Sequence, residues 1–200
     1  MNTLIFPLFL AIGLAAGATA PTTAPAADTT AEALPGQSLY HLQAQLADQH
    51  DKSLAWSDLS GQPQLVSMFY ANCHLMCPLI IENAKAVQKQ LPAGERERLG
   101  VAMISLDPQR DTADALAQVA RNHRAPDAWR FLRPAGDDVR ALASVLDVRY
   151  RFREDGSINH TSVLVLLDAQ GRVIARSEVV GAAPDPAFVE QVRVALAATP

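Results

Sequence analysis

The chain has 200 residues, 49% of them apolar and 19% charged, with a formal net charge of −4. That length suits one domain with a real core, and the composition argues against global disorder. No dense run of Lys or Arg is present to replace the counterions of a nucleic acid, so nucleic acid is excluded as a partner.

Residues 1–20 (MNTLIFPLFLAIGLAAGATA) contain no charged side chain, and an apolar stretch from Leu4 to Leu14 gives way to small residues. This is the pattern of a secretory signal peptide. The rival reading is an uncleaved N-terminal anchor, through which any membrane contact would run, but the apolar run is short for the roughly 20 residues that span a bilayer. Residues 21–36, rich in Ala, Thr and Pro, read as a flexible linker. The folded domain is expected over 37–200, in a periplasmic or otherwise exported location.

Within that domain, residues 39–46 alternate and predict a half-buried strand. Residues 48–52 read as a turn and 54–56 as a returning strand, which together make an N-terminal β-hairpin. The run 64–70 (QLVSMFY) predicts a doubly covered central strand, 78–91 a helix, and 100–106 (GVAMISL) a second buried strand. Asp111-Thr112 caps a helix over 113–122. A short strand at 129–132, a helix over 137–146, a strand over 161–167, a turn at 168–171, a strand over 173–177 and a helix over 184–198 complete the order. Alternating strands and helices followed by a hairpin predict an α/β thioredoxin-like sandwich, with a central mixed sheet and helices on both faces.

Both cysteines lie in Cys73-His74-Leu75-Met76-Cys77-Pro78, between the first buried strand and the first helix. A helix N-terminus favours thiolate over thiol, and Pro78 suits the first helical turn. The spacing puts both sulfurs on one side, positioned to share a metal ion or to form a disulfide. A purely structural bridge here would close only three intervening residues and restrain little of the unfolded chain. For copper, two sulfurs leave a place for a third donor. His74, Met76, His41, His50, His123 and His160 are the candidates, and His160 stands out because it directly precedes the strand at 161–167.

Taken together, Cys73-x-x-x-Cys77-Pro78, Ser105-Leu106-Asp107-Pro108-Gln109-Arg110-Asp111-Thr112, Tyr150-Arg151-Phe152 and Ile158-Asn159-His160-Thr161-Ser162 resemble the Sco/SenC family, in order and over nearly the whole mature chain. The resemblance implies a thioredoxin fold that holds one copper, Cu(I) or Cu(II), through Cys73, Cys77 and His160. Asp107 is expected as a neighbour that orients a ligand, with loop structure or capping as the alternative for it and for Asp111. It also implies help in assembling the copper site of a respiratory oxidase. The expected partners are that oxidase subunit, other copper chaperones and a thioredoxin-like reductant for Cys73 and Cys77. The chain departs from the family by carrying His74-Leu75-Met76 where members often have Pro and an acidic residue.

Two functions therefore compete. A copper chaperone binds and transfers metal and is not an enzyme. A thiol–disulfide oxidoreductase uses Cys73 and Cys77 as a redox pair on another exported protein and does not need His160. Asn159-His160-Thr161 offers no proline where redox thioredoxins place a cis-proline, which argues for metal. A peroxidase is disfavoured, because Ala71-Asn72 before Cys73 lacks its pattern.

Overall fold

A computed structural model describes residues 34–199, together with Met1. The expected signal and most of the expected linker lie outside these residues. All elements fall in the unit Ala33–Pro200. Among the described residues, no helix is long and apolar enough to cross a membrane.

Among the described residues, nine strands and five α-helices run in the order β1 (Gln45–Ala47), β2 (Ser53–Ala55), β3 (Gln64–Phe69), α1 (Met76–Lys89), α2 (Ala93–Arg98), β4 (Gly100–Ser105), α3 (Ala113–Asn122), β5 (Arg130–Pro134), α4 (Asp138–Val145), β6 (Tyr150–Phe152), β7 (Ile158–His160), β8 (Leu164–Leu167), β9 (Val173–Ser177) and α5 (Pro186–Ala197). Seven strands form one mixed sheet in the order β2-β1-β5-β4-β3-β8-β9. The β3–β4 and β4–β5 pairs are parallel, and the other pairs of this sheet are antiparallel. Every residue of β3 and β8 is buried. Successive strand side chains point to opposite faces, so uninterrupted burial means that both faces of the sheet centre are covered. This is the thioredoxin-like sandwich anticipated from the element order.

The N-terminal hairpin forms, but not over 39–46. Leu39–His41 is a 3-10 turn and the strand is limited to Gln45–Ala47. Ser38 diverts the chain: its hydroxyl accepts from the Tyr40 N–H at 3.1 Å, a local cap that competes with strand pairing. Tyr40 then buries its ring 5.4 Å from that of Trp56, whose Nε1 donates to the Leu39 carbonyl at 2.9 Å. The turn expected at 168–171 backs this packing. Gly171 has φ +83°, and a Cβ there would come within 2.4 Å of the Tyr40 ring.

The pairing of β8 with β3 fixes what stands above the sheet. Because the two strands are antiparallel, with Val66 opposite Val165, the chain entering β8 passes the C-terminal end of β3. The Ser67 hydroxyl clamps that entry by donating to the Val163 carbonyl at 2.8 Å. The segment 150–162 is thus delivered beside the loop that follows β3. There it forms a separate two-stranded sheet, β6 with β7, absent from the sequence expectation. Its turn is closed by Asp155, whose carboxylate accepts from the Ser157 N–H at 2.9 Å and hydroxyl at 2.6 Å, and by Gly156 at φ +79°.

Candidate metal centre

The first half of the site is built where β3 meets α1. No side chain caps α1 by the usual Ser, Thr or Asp route. Instead the Cys77 backbone N–H, one of the donors that a helix start leaves unpaired, points at Cys73 Sγ at 3.2 Å. Cys73 is half-buried and Cys77 is buried; both are free thiols.

The second half is His160, at the end of β7 and directly opposite Tyr150. Its Nδ1 lies 3.0 Å from the Thr161 carbonyl oxygen. A carbonyl only accepts, so Nδ1 carries the proton and the lone pair of the neutral ring sits on Nε2. That Nε2 lies 3.7 Å from Cys77 Sγ. The Tyr70 ring meets the imidazole edge-on at 6.0 Å and 79°, and fixes its plane.

The ligand atoms of Cys73, Cys77 and His160 all lie within 4.8 Å of one another, the only such grouping of three or more His, Cys, Asp or Glu among the described residues. The other histidines fall elsewhere. His41 Nε2 contacts the Pro35 carbonyl, His50 is exposed, and His123 lies 3.6 Å from Glu82. His74 and Met76 line the cleft of about 340 Å³ that opens over Cys73 and His160, and His74 does not join the three donors. A larger cavity of about 750 Å³ lies beyond β6, lined by Asp107, Arg140, Tyr150 and Phe152, and contains none of the three.

The two sulfurs have opposite proton affinities. The Cys73 thiol is lowered to about 3, chiefly by the hydrogen bond from the Cys77 thiol, with the backbone N–H groups of Cys77 and Leu75 adding to it against partial burial. Cys77 is pushed up by that same hydrogen bond and by burial. The pair therefore shares one proton and carries one negative charge.

Two acidic side chains hold the halves in place. Asp111 is 2% exposed; its carboxylate accepts from the Ala71 N–H at 3.1 Å and from the Ser105 hydroxyl at 2.6 Å, which anchors the cysteine loop to the end of β4. Burial raises its pKa above the usual carboxylate value. Asp107 is not one of the grouped donors and pairs with Arg110. Arg110 in turn donates from Nη2 to the Gly156 carbonyl at 2.8 Å, in the β6–β7 turn. Asp107 thus reaches the site through Arg110 and the hairpin that carries His160. Sequence reasoning passed over Arg110 and Tyr70. Arg110 sat inside a quoted motif, and Tyr70 ended a predicted strand; neither position announces a contact made across the fold.

A model of the SCO1/SenC family matches residues 33–194. The chain belongs to the SCO1/SenC family. A protein of Stutzerimonas stutzeri whose name proposes copper binding is 27% identical over 135 residues, 64% of this chain and 64% of that protein's length. The chain therefore matches less than two thirds of that curated relative. The structure of Bradyrhizobium japonicum ScoI with copper bound aligns with a TM-score of 0.64 at 20% identity, over 80% of this chain and 98% of that one. BsSco, described with a disulfide switch and as a member of the Sco family of cytochrome c oxidase assembly proteins, aligns with a TM-score of 0.65 at 22% identity, over 78% of this chain and 92% of that one. Both structural likenesses are likenesses of fold.

Proposed function

We propose that this SCO1/SenC protein is an exported copper chaperone in which Cys73, Cys77 and His160 hold one copper ion and pass it to the copper site of a respiratory oxidase subunit. The observation that carries the reading is the convergence of two sulfurs and one imidazole nitrogen within 4.8 Å, with the protonated nitrogen turned away from the sulfurs. Thiolate sulfur is a soft donor that suits Cu(I), and imidazole suits copper in either state. A structural zinc site wants four such ligands. Oxidation of the two thiolates to a disulfide, with both electrons passing to a partner's disulfide, withdraws two of the three donors and gives a route to release. A thioredoxin-like reductant would then restore the pair. In this reading residues 1–20 are the export signal or anchor, 21–36 the linker and 37–200 the copper-binding domain.

One observation favours a second reading, a thiol–disulfide oxidoreductase acting on the cysteines of a copper site. Cys73 is half-buried with a lowered pKa, while Cys77 is buried with a raised one. That is the division of labour between an attacking thiolate and a resolving thiol.

Anaerobic Cu(I) titration of the reduced full chain beside His160→Ala separates the two. One tightly held copper per chain, weakened about 100-fold or more by the substitution, supports the chaperone. Binding indifferent to His160, with a readily reversible Cys73–Cys77 disulfide, overturns it in favour of the reductase.

A further inference from the structure

The hairpin beside His160 has a pattern that the copper site does not use. Residues 149–153 read Arg149-Tyr150-Arg151-Phe152-Arg153. Tyr150 pairs with His160, Arg151 with Asn159 and Phe152 with Ile158. The ladder extends past β6 at both ends, through Thr161 N–H to the Arg149 carbonyl and Arg153 N–H to the Ser157 carbonyl, each at 2.9 Å. Alternation therefore puts Arg149, Arg151 and Arg153 on one face, spanning roughly 13 Å at strand spacing. All three are exposed.

These arginines border the metal centre. Arg153 is the one Lys, Arg, Asp or Glu lining the cleft over Cys73 and His160. Arg149 and Arg151 line a second cleft, which shares Asn159 and His160 with the first and has no acidic residue in its wall. Glu154 and Asp155 share a further cleft with Arg151 and Arg153, but among the described residues only Asp155 comes within 4.0 Å of one of the three arginines. Asp155 is 3.9 Å from Arg153 and is engaged by Ser157, while Arg149 and Arg151 have no carboxylate within 4.0 Å among the described residues. A protein with a net charge of −4 thus presents a positive wall at the one cluster of metal donors among its described residues.

We infer that the Arg149-Arg151-Arg153 face docks an acidic patch on the partner protein that exchanges copper or electrons with Cys73 and Cys77. The inference rests on the proposal that these cysteines exchange with a partner. Charge complementarity selects the sign: an anionic surface is drawn toward His160 and Cys73, and a cationic one is repelled. A protein is favoured over a lipid surface because the arginines flank donors whose cargo, metal or electron pairs, needs thiolate or disulfide sulfur on the other side.

The test uses two synthetic peptides with the same internal disulfide, one flanked by Glu and the other by Lys, and the reduced full chain. The Cys73 thiolate attacks one peptide sulfur, the peptide S–S bond breaks and one peptide thiolate leaves. Cys77, losing its proton, then attacks the Cys73 sulfur and expels the second. The chain loses two electrons to form Cys73–Cys77, and the peptide ends as a dithiol that takes one proton from Cys77 and the other from solvent. The Glu peptide should react about tenfold faster than the Lys peptide at low salt. The ratio should approach one near 1 M salt, where the Debye length is about 3 Å.

The R149Q/R151Q/R153Q variant should lose the preference at low salt. K89Q/R121Q/R130Q, with the same change in net charge at exposed positions outside the hairpin, should retain it. Reaction with a small neutral disulfide, unchanged in both variants, reports that the fold and the thiols are intact. Equal rates for the two peptides in the wild-type chain would overturn the inference while leaving the site reading standing. Equal rates together with arginine-dependent binding to phosphatidylglycerol vesicles would replace the protein partner with a membrane. No reaction with any disulfide, and no copper binding, would instead remove the reading on which the inference rests.

Discussion

The two halves of the metal centre are built in different ways. The cysteine half continues from β3, a strand buried along its whole length, and Cys77 is itself 2% exposed. The histidine half stands on a two-stranded sheet outside the main one, where Arg151 and Phe152 are exposed and His160 is half-buried. The core dictates where the sulfurs sit. The imidazole is instead held by a few identifiable contacts: the Thr161 carbonyl, the Tyr70 ring and the Arg110 bond to Gly156. Under the proposed carrier function, this arrangement would leave the sulfur pair fixed by the core while the third donor depends on a few local contacts.

The contrast can be broken first at Cys77. Cys77→Ser should abolish tight Cu(I) binding, a loss beyond the roughly 100-fold that follows removal of an outer partner. A chelator competition assay measures it, and binding within tenfold of wild type would contradict the account. A large effect is also expected on thiol reactivity. At pH 5 the reduced chain should be alkylated at Cys73 at least ~10-fold faster than at Cys77, because the thiolate is the nucleophile and Cys73 holds the charge. Mass spectrometry of the two modified peptides reads the ratio directly.

Arg110→Ala probes the histidine half. It cuts the link from Asp107 to the Gly156 carbonyl. It should weaken Cu(I) binding about tenfold and raise amide exchange in 150–160, with exchange in β3 unchanged. A uniform rise across the sheet would mean that the arginine serves the whole fold and not the hairpin.

The smallest effect belongs to Asp111→Asn. The Asp111 pKa is raised in the folded chain, so its contribution to stability is fully present below the unfolded value of 3.8 and is lost as pH rises through the folded value. The stability of wild type relative to Asp111→Asn should therefore be greater in acid than at pH 7. Thermal melts of both proteins across that range test the sign, and a difference that grows toward neutral pH would contradict it.

Much of the cysteine half was legible in the sequence. The apolar run 64–70, the Cys73–Cys77 spacing and Pro78 at a helix start are local signals, and they placed the pair at a strand-to-helix junction with little else needed. The helix over 113–122 was equally plain, because Thr112 caps it with its own side chain. The histidine half was legible in identity but not in form. Strands of three residues, Tyr150–Phe152 and Ile158–His160, are too short for periodicity to announce, and their existence depends on β8 pairing with β3 far away in the chain. The same non-locality hid Arg110, whose partner Gly156 is 46 residues distant. At 39–46 alternation pointed to a strand, and a single hydroxyl, Ser38, redirected the chain into a turn.

X-ray absorption of the Cu(I)-loaded reduced chain shows whether one metal ion is shared by the sulfur pair and the separately mounted imidazole. The account predicts two sulfur neighbours and one nitrogen neighbour from imidazole, with the nitrogen lost in His160→Ala and both sulfurs kept. A wild-type spectrum with sulfur alone, or one that His160→Ala leaves unchanged, would contradict it.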